Sequence, residues 1–159
     1  MRKIQLVVGL ILLSLLCACA DKDKQAAITY VKGCQNMSVV QGQFVGAMQQ
    51  FKTAKNKDEL TKIIDEVIIP AHQALCAEAA KVPTESEEVK TVHAKLSDFL
   101  AGSGECLNEL SDAVKNQDAK RMQESVSKFV AAQKHLDDYL NAVTELCQKH
   151  NITSTGEAA

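Results

Sequence analysis

Residues 119–147 read AKRMQESVSKFVAAQKHLDDYLNAVTELC. Ala119, Met122, Val126, Phe129, Leu136, Leu140, Val143 and Cys147 recur alternately three and four positions apart, with Gln133 holding one place in the series. That spacing puts a single apolar seam along one face of a helix and leaves Lys120, Glu124, Lys128, Lys134 and Asp138 off it. The stretch therefore predicts a long amphipathic helix that must find neighbours for its seam.

Working outward, the same period appears three more times. Residues 24–53 carry Tyr30, Met37, Val40, Phe44, Ala47 and Phe51 at helical spacing, and Lys55-Asn56-Lys57-Asp58 ends the run. Asp58 is a suitable N-cap for a second helix over 59–81, with Leu60, Ile64, Val67, Ile68, Ala71 and Leu75 on one stripe. Pro70 lies inside that stripe and predicts a kink, because the periodicity continues on both sides. Val82-Pro83 then gives a turn, and Thr84 with Glu87 fits a capping box. A third helix carries Val89, Val92, Leu96, Phe99, Ser103, Cys106 and Leu110. Asn116-Gln117-Asp118 forms the turn into the last helix, and the small, polar residues 151–159 predict a flexible tail. Four long segments joined by short turns imply an all-α domain over residues 25–150, an elongated up-down-up-down four-helix bundle. Its last two helices, about 30 residues each, span about 45 Å.

Composition agrees. The chain of 159 residues has no Trp, two Tyr, four Phe and two Pro, and no stretch alternates with period two. The formal net charge is −2 with acids and bases interspersed, so no basic stripe offers a nucleic-acid footprint.

The amino terminus is of another kind. MRKIQLVVGLILLSLLCACA begins with Arg2 and Lys3 and continues into an apolar run of about 13 residues, short of the ~20 that a spanning helix needs. Leu16-Cys17-Ala18-Cys19 has the form of a lipobox, which makes residues 1–18 a secretory signal peptide and Cys19 the lipidated residue. Residues 19–24, through Asp21-Lys22-Asp23-Lys24, then form a tether. Two acyl chains on Cys19 suffice for stable anchoring, where one does not. Ala18-Cys19-Ala20 also fits ordinary signal peptidase, which would cut after Ala20 and release a soluble protein. Ala20 after the lipidated cysteine leans toward the periplasmic face of an outer membrane over inner-membrane retention.

Such a compartment permits disulfides. Cys34 and Cys76 lie equally far from the first turn and so share a level, which makes their pairing the first expectation and Cys34–Cys147 the alternative. Cys106 falls some 30 Å lower than Cys147 and is expected to remain a reduced core filler. His72 and His93 sit at one level on neighbouring helices and are a candidate half-site for a transition metal. Ser103, between Gly102 and Gly104, and Gln133 are expected to hydrogen-bond across the seam as a polar layer that fixes register. None of the four histidines follows an acid by three positions, so the Glu-x-x-His pairs of a di-iron bundle are absent. Nor does the chain contain C-x-x-C-H, H-E-x-x-H, G-x-S-x-G or a P-loop.

The chain resembles small bacterial lipoproteins with helical-bundle domains. The resemblance rests on Leu16-Cys17-Ala18-Cys19, Ile69-Pro70, Val82-Pro83-Thr84 leading to Val92-His93, and Asn116-Gln117-Asp118 opening a last helix that ends Lys149-His150-Asn151-Ile152. It implies anchoring and fold, and it carries no catalytic residues. The expected function is that of a lipid-anchored envelope protein, non-enzymatic and without a cofactor, that binds a protein partner. The alternative is a periplasmic bundle holding haem, a metal or a small ligand in its core.

Overall fold

The computed structural model describes residues 22–157, so the signal segment and Cys19 lie outside the described residues. The described chain is all-α. Helix α1 covers 22–36, α2 Ser38–Gln50, α3 Lys57–Lys62, α4 Ile69–Ala79, α5 Glu87–Lys115 and α6 Ala119–His150. Among the described residues no helix is long and apolar enough to cross a membrane.

Helices start where side chains satisfy their first amides. Asn56 accepts from the Glu59 amide at 2.9 Å, Ser86 from Val89 at 3.2 Å and Asp118 from Arg121 at 3.0 Å. Two expected caps are thereby corrected. Asn56 does the work foreseen for Asp58, which lies inside the first turn, and Ser86 replaces Thr84. Glu87 and Glu88 then fall in the first turn of α5, where they complement the helix dipole.

The single helix expected over 24–53 is interrupted at Met37, whose amide bonds the Cys34 carbonyl at 3.1 Å in a tighter turn. It ends in a short 3₁₀ turn, Phe51–Thr53. Pro70 is accommodated by a wider turn: Ile63–Ile68 is π-helical, and the Ile69 amide reaches back to the Ile64 carbonyl. Proline has no N–H to bond the carbonyl four residues back, and its ring crowds that carbonyl, so widening the preceding turn relieves both problems. The Gly102-Ser103-Gly104 segment stays helical, and α5 runs unbroken for 29 residues.

Helices α5 and α6 form the most extensive contact and run antiparallel, cross-linked by Lys128 with Glu109 at 2.7 Å and Lys149 with Glu88 at 2.8 Å. Helix α2 packs on α4, and α4 on α5. Asp65 in the π turn pairs with Lys115 at 2.7 Å and accepts from Ser111, so burial's resistance to ionisation is outweighed and its carboxyl stays below the usual range. The core includes Tyr30, Ile64, Ile68, Val89, Leu107 and Leu146.

Burial on α6 departs from expectation. The buried residues are Ser125, Ala132, Tyr139 and Leu146, spaced by seven; Ala132 lies against Gly102 of α5, while Tyr139 reaches Tyr30 and Cys34 of α1. The larger stripe that predicted the helix is half open: Val126 is 51% and Leu140 53% exposed.

Residues 151–157 fold back on the bundle. Asn151 adopts φ 50°, the Ile152 amide bonds the Cys147 carbonyl at 3.0 Å, and Ile152 is buried. Gln35 donates to the Ser154 carbonyl at 3.3 Å, fastening the tail to α1. Helix α5 ends in the same kind of cap. Gln117 sits at φ 55°, the Asp118 amide bonds Ala113 at 2.9 Å and the Gln117 amide bonds Val114 at 3.1 Å, a Schellman pattern. A left-handed position occupied by glutamine bears a Cβ penalty that glycine does not. Gln117→Gly is therefore expected to raise unfolding free energy by about 0.5–1 kcal/mol, measured by urea denaturation.

Candidate functional site

The open stripe of α6 faces α2 across a groove. A cavity of ≈ 410 Å³ lies there, walled by Met37, Phe44 and Met48 on one side and Phe129 and Leu136 on the other. Leu75 of α4 and Leu96, Phe99 and Leu100 of α5 form its floor, while Val45, Gln41, Gln133 and Leu140 stand at its rim. Met48 and Phe129 also border a second recess of ≈ 180 Å³, lined further by Phe51, Leu107, Leu110 and Val126. The five large apolar side chains exposed among the described residues, Val39, Val45, Val126, Val130 and Leu140, all belong to α2 or α6. Surface valines scattered singly carry no message, but a set confined to the two helices flanking a cavity does.

No lining residue of the ≈ 410 Å³ cavity is charged. Residues 33–51 contain no Asp, Glu, Lys, Arg or His at all, in a chain with 24% charged residues. One end of the groove is nonetheless polar. Cys34 Sγ lies 3.4 Å from the Tyr139 hydroxyl, and Tyr30, fully buried behind them, directs its hydroxyl toward that of Tyr139 at 3.5 Å. Burial first, then the proximity of these groups to one another, drives both phenols well above their ordinary range. Burial likewise pushes the Cys34 thiol up, although the two tyrosines oppose it. The cluster is therefore protonated and neutral. Sulfur is a weak acceptor, so the Tyr139 proton is held only loosely.

Under the floor lies a second polar pair. His72 Nε2 is 2.9 Å from Ser103 Oγ, and that hydroxyl donates to the Leu100 carbonyl at 3.1 Å. With the serine proton so engaged, His72 donates from Nε2, an assignment made from the network. Both residues are buried, and burial lowers the His72 pKa, so the ring stays neutral. Its edge meets Phe44, with ring centroids 5.5 Å apart. Gly104 makes room for it: a Cβ there would stand 2.9 Å from His72 Cε1. The expected Ser103–Gln133 layer is thus corrected. Serine meets histidine from α4, and Gln133 is exposed on the groove rim.

His72 and His93 have different neighbours. His93 lies edge-on to Tyr30, centroids 5.9 Å apart, with its Nδ1 buried and without a partner. Among the described residues no three His, Cys, Asp or Glu side chains converge as metal ligands would. His150 pairs with Glu88 at 3.0 Å, and His135 is exposed on α6.

The expected disulfides are corrected too. Cys34, Cys76, Cys106 and Cys147 are all free thiols. Equal sequence distance from a turn sets level, but it does not aim side chains. Cys34 turns to Tyr139, Cys76 to His72 at 3.7 Å and Cys147 to the Thr153 carbonyl at 3.9 Å. Cys106 is buried, as expected for a core filler. Sequence reasoning missed Tyr139, although its seven-residue register with Ser125, Ala132 and Leu146 was there to read.

No protein-family model, curated protein or solved structure matches this chain.

Ser103→Ala would strand the His72 Nε2–H in the interior. It is expected to destabilise the fold by about 1–3 kcal/mol in urea titrations, the range for an orphaned buried donor.

Proposed function

We propose that this protein is a lipid-anchored envelope protein, an up-down-up-down four-helix bundle that binds an apolar group non-enzymatically in the groove between α2 and α6. The observation that carries this reading is the half-open stripe of α6. A helix with apolar side chains facing water forgoes burial worth about 25 cal/mol per Å². Here that surface lines a concave site of a size usual for ligand pockets, between helices where bundles place them. It supports the small-ligand alternative over a flat protein-docking face. Haem finds no support, because Met37 and Met48 line the groove but no histidine does.

Catalysis is not part of the reading. The nearest approach to a nucleophile–base pair, Ser103 with His72, spends the serine proton on a carbonyl and lies beneath the floor. Anchoring rests on Leu16-Cys17-Ala18-Cys19 and on the short interval between Cys19 and α1.

Two measurements test the two halves of this reading. Cys19→Ser is expected to shift the protein in the native host from the membrane fraction to an unprocessed precursor. Normal processing of that variant would favour cleavage after Ala20 and a soluble protein. The purified domain is expected to bind one equivalent of the neutral dye Nile red. Val45→Trp, which fills the groove mouth from an exposed position, should weaken binding by about tenfold or more without lowering stability. Equal dye binding by the variant would place the site elsewhere.

A further inference from the structure

The dimensions and chemistry of the groove select among apolar occupants. From Phe129 to Leu140 it follows α6 for eleven residues, about 17 Å. Its ≈ 410 Å³ is a volume usual for small-ligand pockets. A helix with its side chains is about 10–12 Å across, so a length of about 17 Å of one has several times that volume and could not be enclosed. A single polymethylene chain can be, since carbon atoms in contact stand about 4 Å apart. A second recess adjoins it at Met48 and Phe129. Met37 and Met48, flexible and unbranched, suit walls that must close on a chain of variable conformation.

Charge then decides the head group. A carboxylate or phosphate within the groove would meet no cation, and burying an unpaired charge is prohibitive. The polar end offers one neutral donor. Tyr139 accepts from Tyr30 at 3.5 Å and has only the Cys34 sulfur, at 3.4 Å, to receive its own proton. A carbonyl oxygen arriving there is a better acceptor than sulfur and needs no countercharge.

Building on the groove reading above, we propose that the site takes one unbranched acyl chain of an uncharged lipid ester, with the chain against Phe44, Phe129 and Leu136 and the ester carbonyl accepting from Tyr139. The free fatty acid is disfavoured by its carboxylate, and a partner helix is too large to be enclosed.

The test is displacement of Nile red from the purified domain by methyl esters of eight to fourteen carbons, by sodium tetradecanoate at pH 8 and by decane. Ester affinity is expected to rise about fourfold per added methylene, the increment for burying one CH₂. Tetradecanoate should bind at least tenfold more weakly than its methyl ester. Tyr139→Phe should weaken methyl decanoate about fivefold and leave decane unchanged, which a merely structural role for the tyrosine would not produce. Equal or tighter binding of the carboxylate overturns the proposal, as does affinity independent of chain length. Should esters fail while dye binding remains sensitive to Val45→Trp, the groove stands and the acyl assignment falls. If the dye ignores Val45→Trp, both fall together.

Discussion

The arrangement depends on how α6 divides its circumference. Its buried strip of Ser125, Ala132, Tyr139 and Leu146 is narrow, and α5 comes close where Gly102 faces Ala132, a Cβ on the glycine standing 3.8 Å from that of the alanine. An amphipathic helix of a globular domain presents an apolar arc of ≳ 100°, wider than one such strip fills. The rest of the arc, from Met122 through Phe129 to Leu140, turns past α5 toward α2. Closure from that side is incomplete, because α2 is committed to α4, where Phe44 leans on His72. The groove is what remains between two helices each bound to a different partner.

What fixes α2 on α4 is a chain of small polar and steric requirements. Gly104 must lack a side chain for His72 to lie against α5, and Ser103 must hold the ring for Phe44 to meet its edge. Gly33 serves the other end of this hairpin: a Cβ there would stand 3.0 Å from Pro83 Cδ and 3.1 Å from Val82 Cγ1, so α1 can run close beneath the turn. The break at Met37 and the π turn before Pro70 lie on these same two segments. Departures from ideal helix are thus concentrated in the layer that forms the groove's near wall and floor, while α5 and α6 run unbroken.

Much of this was legible in the sequence, and what was not has definite causes. Helical period, turn positions and chain breaks are local properties, so 119–150 and 87–115 read correctly. Caps slipped by two residues where several candidates adjoined, as with Thr84 and Ser86. The heptad series of α6 was real, yet periodicity reports only that a stripe is apolar. It cannot say whether a neighbour arrives to cover it, and here burial belongs to the adjacent strip containing Tyr139. Cysteine levels were inferred from helix rise alone, and rise carries no azimuth, which is why Cys34 meets a tyrosine and not a thiol. The return of residues 151–157 onto the bundle depends on Asn151 adopting a left-handed cap, a signal that polar composition concealed.

Neutrality of the groove is the feature least explained by folding. Residues 33–51 span the end of α1 and all of α2, whose outer positions, among them Gln35, Val39, Gln41, Gln43 and Gln49, are exposed, and folding places no ban on lysine or glutamate there. Glutamine supplies solubility without a field, and charges at the rim would penalise any apolar or dipolar occupant by demanding hydration at the mouth. Geometry adds a second constraint. From residue 22 to Cys34, α1 rises about 18 Å. On the anchored reading, the polar end at Cys34 and Tyr139 therefore stands roughly one helix-third above the start of the tether, with the apolar groove leading away from it. A chain entering from the anchored side would pass first through the donors and then into the hydrocarbon-lined interior, so the orientation that satisfies the ester is also the one that buries its methylenes deepest.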